Sequence, residues 1–197
     1  MDSLDHAELG LVGDSILYHE QRYPHIRTTI LQKKVANLCQ RGLTIKGVLD
    51  QFPQFPFDPK AANLPDDIRF CSKVVLHIGT NNLIDRYNTT PNDPYETAQK
   101  IIIAINRLIN HSCASPTMGI YFLGLLPRCY DSDSDKPDCT KKPDLLNPAI
   151  RQINKHVKNY CRQHPAVYID PPRILTTPNG SAVKDIFMMM FTLIKVV

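Results

Sequence analysis

Leu9-Gly10-Leu11-Val12-Gly13-Asp14-Ser15 is the stretch that decides how this chain folds. Its first half, with Glu8, is a short apolar run. Its second half opens a segment of helix-compatible composition. A serine at the end of a strand and the mouth of a helix has an exposed hydroxyl, beside backbone N–H groups that can receive a developing oxyanion. Alone, Gly13-Asp14-Ser15 marks no more than a strand-to-loop turn, with Asp14 or Ser15 capping a helix start. A second junction adds weight. Lys73-Val74-Val75-Leu76-His77-Ile78 is a stronger apolar run, and Gly79-Thr80-Asn81-Asn82 follows it. Alone, Gly79 is a turn glycine and Asn81 an Asx-turn residue. Two strands that each end in a small polar motif point to a parallel sheet whose C-terminal edge carries a site.

Working outward, short apolar runs alternate with amphipathic ones. The predicted strands are Glu8–Val12, Lys73–Ile78, Met118–Leu125 and Ala166–Ile169, with a weaker one at Thr28–Leu31 or Val35–Leu38. The predicted helices are 45–51, 94–111 and 145–164. In the second, Asp93 caps, Pro94 suits the first turn, and Ala98, Ile101, Ile102, Ile105, Leu108 and Ile109 recur at helical spacing. In the third, Ile150, Ile153, Val157 and Tyr160 share a face. Such alternation gives an α/β fold, a three-layer α/β/α sandwich with a mostly parallel, flavodoxin-like sheet. Residues 52–67, which carry four prolines, and residues 130–143, dense in Asp, Ser, Pro and Lys, read as loops over the sheet edge.

Gly13-Asp14-Ser15, Gly42-Leu43-Thr44 and Gly79-Thr80-Asn81-Asn82 stand in the order and spacing of the motif blocks of the SGNH (GDSL-like) hydrolase superfamily, which the chain resembles from about Leu9 to Asp185. The resemblance implies the sandwich fold and the hydrolysis of esters. It makes Ser15 the catalytic nucleophile. The Ser15 and Gly42 N–H groups and the Asn81 side-chain amide become the oxyanion hole, with Asp14, Gly79 and Asn82 in support. Glycine at 42 lets the backbone approach a reacting carbonyl. Asn81 is a donor that does not titrate. The resemblance implies a small-molecule ester substrate and no metal or organic cofactor.

The resemblance fails at the family's C-terminal Asp-x-x-His block, which is absent. Ester hydrolysis needs a base for the serine proton and a group to orient that base. None of the seven histidines stands in such a block. His77 falls inside a strand, as a core or sheet-face residue. His156 and His164 fall on the long helix. His19, one turn past Ser15, points along its helix. In place of the block stands Met188-Met189-Met190-Phe191-Thr192-Leu193-Ile194-Lys195. Methionine has the single codon ATG, so Met-Met-Met-Phe-Thr read one base out of frame becomes x-Asp-Asp-Val followed by His or Tyr. The next residues can be Leu, Asn or Asp, and Lys or Gln. The shifted frame can therefore spell the missing block at its expected place. The reading is a hydrolase-like domain over residues 1–187 and a frameshifted apolar tail over 188–197, inactive or impaired as it stands. The other reading is a non-catalytic module of this fold that binds a protein or nucleic-acid partner, as similar domains in mobile-element proteins suggest.

Composition bounds the rest. The chain has 197 residues, enough for one domain with a substantial core, 43% of them hydrophobic and 21% charged. A net charge of +4 is mild and does not by itself call for nucleic acid. The basic residues between Arg151 and Arg162 read as a solvated helix face, an RNA-contacting stripe being the lesser reading. Met1 to His6 is acidic and without a positive n-region, and no stretch approaches ~20 apolar residues, so the expected compartment is cytoplasmic and no membrane span is expected. The six cysteines lack metal-ligand spacing and are expected as reduced, mostly buried thiols. Pairing of Cys129 with Cys139, and sequons at Asn88, Asn110 and Asn179, would matter only in a secreted protein.

Overall fold

The computed structural model describes residues 9–14, 35–52, 68, 71–83, 92–112, 118–127 and 143–171. Five strands form one sheet: β1 (Leu9–Gly13), β2 (Val35–Asn37), β3 (Lys73–His77), β4 (Gly119–Leu123) and β5 (Val167–Ile169). The helices are α1 (Ile45–Gln51), α2 (Pro94–Ser112) and α3 (Pro143–Cys161). The sheet order is β2-β1-β3-β4-β5, and every neighbouring pair is parallel. This is the flavodoxin-like order, and its direction reverses between β1 and β3.

A parallel sheet is covered on both faces, so its strands read as continuous apolar runs rather than alternating ones. All five residues of β1 are buried, as are the last four of β3. Side chains alternate across the sheet. Val12, Leu76, Ile120 and Phe122 point to one face and pack with Ile45 and Val48 of α1, Ile101, Ile105 and Leu108 of α2, and Ile150, Ile153 and Val157 of α3. Leu11, Val75 and Leu123 point to the other face and are buried too. The molecule is an α/β/α sandwich. Burying each large aliphatic side chain contributes about 1.5–3 kcal/mol relative to leaving it in water.

The helix starts follow from short-range chemistry. Asp93 caps α2 as expected: its carboxylate accepts from Tyr95 N at 2.9 Å, and its carbonyl accepts from Thr97 N at 3.0 Å. The apolar stripe of α2 differs by one position from its sequence reading. Ala104 is fully buried and Ile102 only half-buried, because the stripe centres on Ile101, Ile105 and Leu108. Helix α3 begins at Pro143, whose missing N–H costs nothing in a first turn, so Pro143 is not loop as its composition suggested. The helix ends at Cys161 rather than His164, because Pro165 disfavours helical backbone at the residue before it. The expected strand at 28–31, most of both expected loops and the 187/188 boundary lie outside the described residues.

Cys39, Cys71 and Cys161 are buried. Burial pushes the Cys161 thiol from 9.0 up to about 11. No helix among the described residues is long and apolar enough to cross a membrane.

Candidate active site

Three chain segments meet where β1, β2 and β3 end. Gly13 closes β1 and pairs in register with His77, which closes β3. Asp14 follows, 1% exposed, and its N–H donates to His77 O at 3.2 Å. The segment after β2 is tied to β1 by two backbone bonds, Leu38 N to Leu11 O at 2.8 Å and Gln40 N to Gly13 O at 3.0 Å. It then turns sharply, with Leu43 N donating to Gln40 O at 3.2 Å. Gly42 occupies that turn at φ +78, the left-handed region that favours glycine. A Cβ built on Gly42 would meet nothing within 4 Å among the described residues, and the positive φ by itself favours glycine there.

Gly79 is required twice over. Its φ is +123, and a Cβ would lie 2.7 Å from Ile101 Cδ1 on α2. The residue turns the chain out of β3 into a single 3-10 turn, Thr80–Asn82. That turn holds the Gly42 segment through its side chains. Asn81 Nδ2 donates to Leu43 O at 2.9 Å. Asn82 Oδ1 accepts from Ile45 N at 2.9 Å, the first N–H of α1. Thr44 supplies the N-cap of the same helix, its hydroxyl accepting from Gly47 N at 3.2 Å. Two of the N–H groups that α1 leaves unpaired are thus met by side chains on either side of the site. Asn92 Nδ2 donates to Asn82 O at 2.6 Å and steadies the turn from behind.

Two donors at this edge remain unspent among the described residues. The Gly42 N–H carries no bond there. An asparagine amide nitrogen has two hydrogens, and the Leu43 carbonyl takes one of them. The structure therefore brings together Gly42, Gly79, Asn81 and Asn82 and sets Asp14 beside β3. Ser15, His19 and the tail from Met188 lie outside the described residues.

The three histidines whose side chains are described are engaged elsewhere. His77 is fully buried, as its strand position implied, and its Nδ1 donates to Leu123 O at 3.1 Å. That bond requires the proton on Nδ1. Among the described residues, His77 Nε2 and the Thr80 hydroxyl are buried without a hydrogen-bond partner. His156 lies edge-on to Tyr95, and His164 stacks on Tyr160.

Sequence reasoning missed two holding contacts. One is the crosslink from Asn82 to α1, between residues 37 apart in sequence. The other is Asn154 on α3, whose amide pairs with both backbone groups of Leu125 at 2.8 Å and fixes the exit from β4. An asparagine on the inward side of an otherwise apolar helix face was the available signal. Among the described residues, no group of three His, Cys, Asp or Glu side chains is placed to hold a metal ion.

No family model matches the chain, and no curated protein matches it in sequence. Solved structures do match. A GDSL-like lipase from Bacteroides thetaiotaomicron VPI-5482 is 14% identical with a TM-score of 0.62, over 95% of this chain and 85% of that one. A carbohydrate acetylesterase from Sinorhizobium meliloti is 12% identical with a TM-score of 0.61, over 95% and 97%. A member of the lipolytic protein G-D-S-L family from Veillonella parvula DSM 2008 is 17% identical with a TM-score of 0.58, over 95% and 96%. At these identities the likeness is one of architecture: the chain has the α/β/α fold of GDSL-type lipases and acetylesterases.

Proposed function

We propose that this chain is built as a serine ester hydrolase of the SGNH type. The observation that carries the proposal is the pair of unspent donors, Gly42 N–H and Asn81 Nδ2–H, joined through Leu43 at the sheet's reversal point. Preorganised donors of this kind stabilise the oxyanion of an acyl-transfer intermediate, and removing one typically costs about 10²–10³ in rate. Ser15, directly after the buried Asp14, is the nucleophile, and its own N–H is the third donor. Asp14 organises the turn rather than taking a proton. Gly79 and Asn82 shape and hold the site. The substrate is a small-molecule ester, an acyl or acetyl group on a lipid, sugar or small alcohol.

The base is what this polypeptide lacks. We propose that a frameshift after Phe187 replaced an Asp-x-x-His block with the apolar residues 188–197. Methionine, phenylalanine and leucine side chains can pack but cannot accept the serine proton. The catalytic output of the chain is then the residue that the oxyanion hole and substrate binding supply alone. What supports the shift is the forced ATG codons of Met188, Met189 and Met190, which place Asp codons in the adjacent frame.

The test is to express the chain as it stands and with the frame restored after residue 187. Turnover of a short-chain nitrophenyl ester is measured in each, with and without Ser15→Ala. The restored form should hydrolyse the ester in a Ser15-dependent way, and the present form at least about 10³-fold more slowly. Equal, Ser15-dependent turnover by both forms would refute the missing base. So would nucleotide sequence that reads Tyr where the shifted frame needs His. Absence of turnover in the restored form would favour the non-catalytic reading.

A further inference from the structure

His77 joins three strands at the edge where the site lies. Its Cα stands opposite Gly13, the last residue of β1. Its carbonyl accepts from Asp14 N at 3.2 Å, one residue before Ser15. On the other side, the β3–β4 register runs from Lys73 and Gly119 to Leu76 and Phe122 and stops there. The next pair along that register, His77 and Leu123, is joined by a side chain: the His77 ring donates from Nδ1 to Leu123 O at 3.1 Å. Two residues further on, Gly79 turns the chain out of the sheet. The ring bond is thus a tie between β3 and β4, placed just before the turn that carries Asn81 and Asn82.

Packing does not call for a histidine here. The residue is fully excluded from solvent, in a strand whose other buried residues are Val74, Val75 and Leu76. With the proton on Nδ1, Nε2 is a bare acceptor. It lies buried with no hydrogen-bond partner among the described residues. A buried polar atom without a partner costs free energy that a phenylalanine ring would not. What phenylalanine cannot do is donate to the Leu123 carbonyl. The histidine therefore gives up some stability for one bond that fixes position.

We propose that His77 is a positioning residue: its ring holds the end of β3 against β4, and so sets how Asp14 and the Gly79–Asn82 turn stand relative to each other. Its catalytic consequence rests on the reading of Ser15 and Asn81 as site residues. The ring takes no part in proton transfer, since its one N–H is spent on Leu123, and it acts through the backbone.

Two substitutions separate the tie from packing. His77→Phe keeps a ring and loses the donor. His77→Asn loses the ring but places an amide nitrogen close to where Nδ1 stands, so it keeps the donor. Amide hydrogen exchange of the full chain is followed at Asp14, Asn82 and Ile45, whose N–H groups donate to His77 O, Gly79 O and Asn82 Oδ1. Ile105, in the middle of α2, is the reference for global opening. In His77→Phe the three site amides should exchange at least about tenfold faster with Ile105 unchanged. In His77→Asn the site amides should speed up no more than Ile105 does. The reverse order, or site amides that follow Ile105 in both variants, overturns the proposal. So does a nitrogen NMR spectrum of the parent chain that puts the ring proton on Nε2, a measurement that needs no variant to fold. In the frame-restored protein, His77→Phe should lower kcat about tenfold or more at unchanged KM, and His77→Asn should recover it. Parent-like kcat in His77→Phe overturns the positioning role. A restored parent without turnover, beside the expected exchange pattern, sinks the hydrolase reading and leaves the tie standing.

Discussion

Where β1, β2 and β3 end, side-chain amides hold the backbone; where α2 lies on α3, apolar side chains do. The first region contains Gly42 and Gly79 at positive φ, two bridging asparagines, and buried polar atoms on His77 and Thr80 that have no partner among the described residues. The second has Ile101, Ile105, Leu108, Ile153 and Val157, all excluded from solvent. Apolar packing is non-directional and strong in sum. Hydrogen bonds give modest net stability but fix position. The contrast teaches that one part of the molecule supplies stability and another spends some of it on geometry. It also predicts that damage to the two will look different.

The largest effect on stability belongs to the helix pair. Ile153→Ala removes a fully buried side chain from α3 and should cost about 2–5 kcal/mol in urea unfolding. A loss under 1 kcal/mol would mean that the core repacks freely and that the contrast is overstated.

Gly79→Ala comes next, because Gly79 joins the two regions. It meets a strained φ and the Ile101 methyl together, and should cost roughly 3 kcal/mol. Adding Ile101→Val, which lacks Cδ1, should recover the steric part and leave the backbone part. No recovery would show that φ alone decides the position.

Asn82→Ala should cost about 1 kcal/mol, since it strips one N–H of α1 of its acceptor. Asn82→Asp keeps the acceptor and places a negative charge at a helix N-terminus, so thermal unfolding should return to the parent value. In the frame-restored protein, Asn82→Ala should lower kcat more than its small stability loss suggests, because the Gly42 segment is no longer held. A parent-like kcat would remove Asn82 from the site.

An effect confined to high pH is a limb of the stability curve set by the buried layer. The folded Cys161 thiol has its pKa raised to about 11 by burial. Its contribution is fully present below pH 9 and is lost as pH rises from 9 to about 11, because the unfolded chain gives up its proton first. Cys161→Ala should flatten that part of the stability curve, and an unchanged curve would show the thiol to be irrelevant there.

Much of the layout could be read from residues alone. The apolar runs at Leu9–Val12 and Val74–Ile78 announced buried parallel strands, because only a sheet covered on both faces needs such continuity. Asp93-Pro94 marked a helix start, because a cap and a preset φ act within one turn. The order of the glycine-bearing motifs placed Gly42 and Asn81 at one sheet edge, and the structure ties them together there through Leu43. Helix ends were less legible. Arg107, which donates to the carbonyls of Leu49 and Phe52 and so closes the end of α1, could not be foreseen.

By itself, then, the sequence determined which segments are strands and helices, which face of each is apolar, and where small polar motifs follow the strands. These are consequences of local propensity and periodicity, which neighbours in sequence suffice to set. Only the tertiary structure decided that Asn82 reaches α1, that Asn154 clamps Leu125, that His77 is locked to Leu123, and that Tyr95 of α2 meets His156 of α3. Those pairings join residues brought together by chain crossovers. Their distances are set by how the layers pack, a quantity that no local pattern encodes.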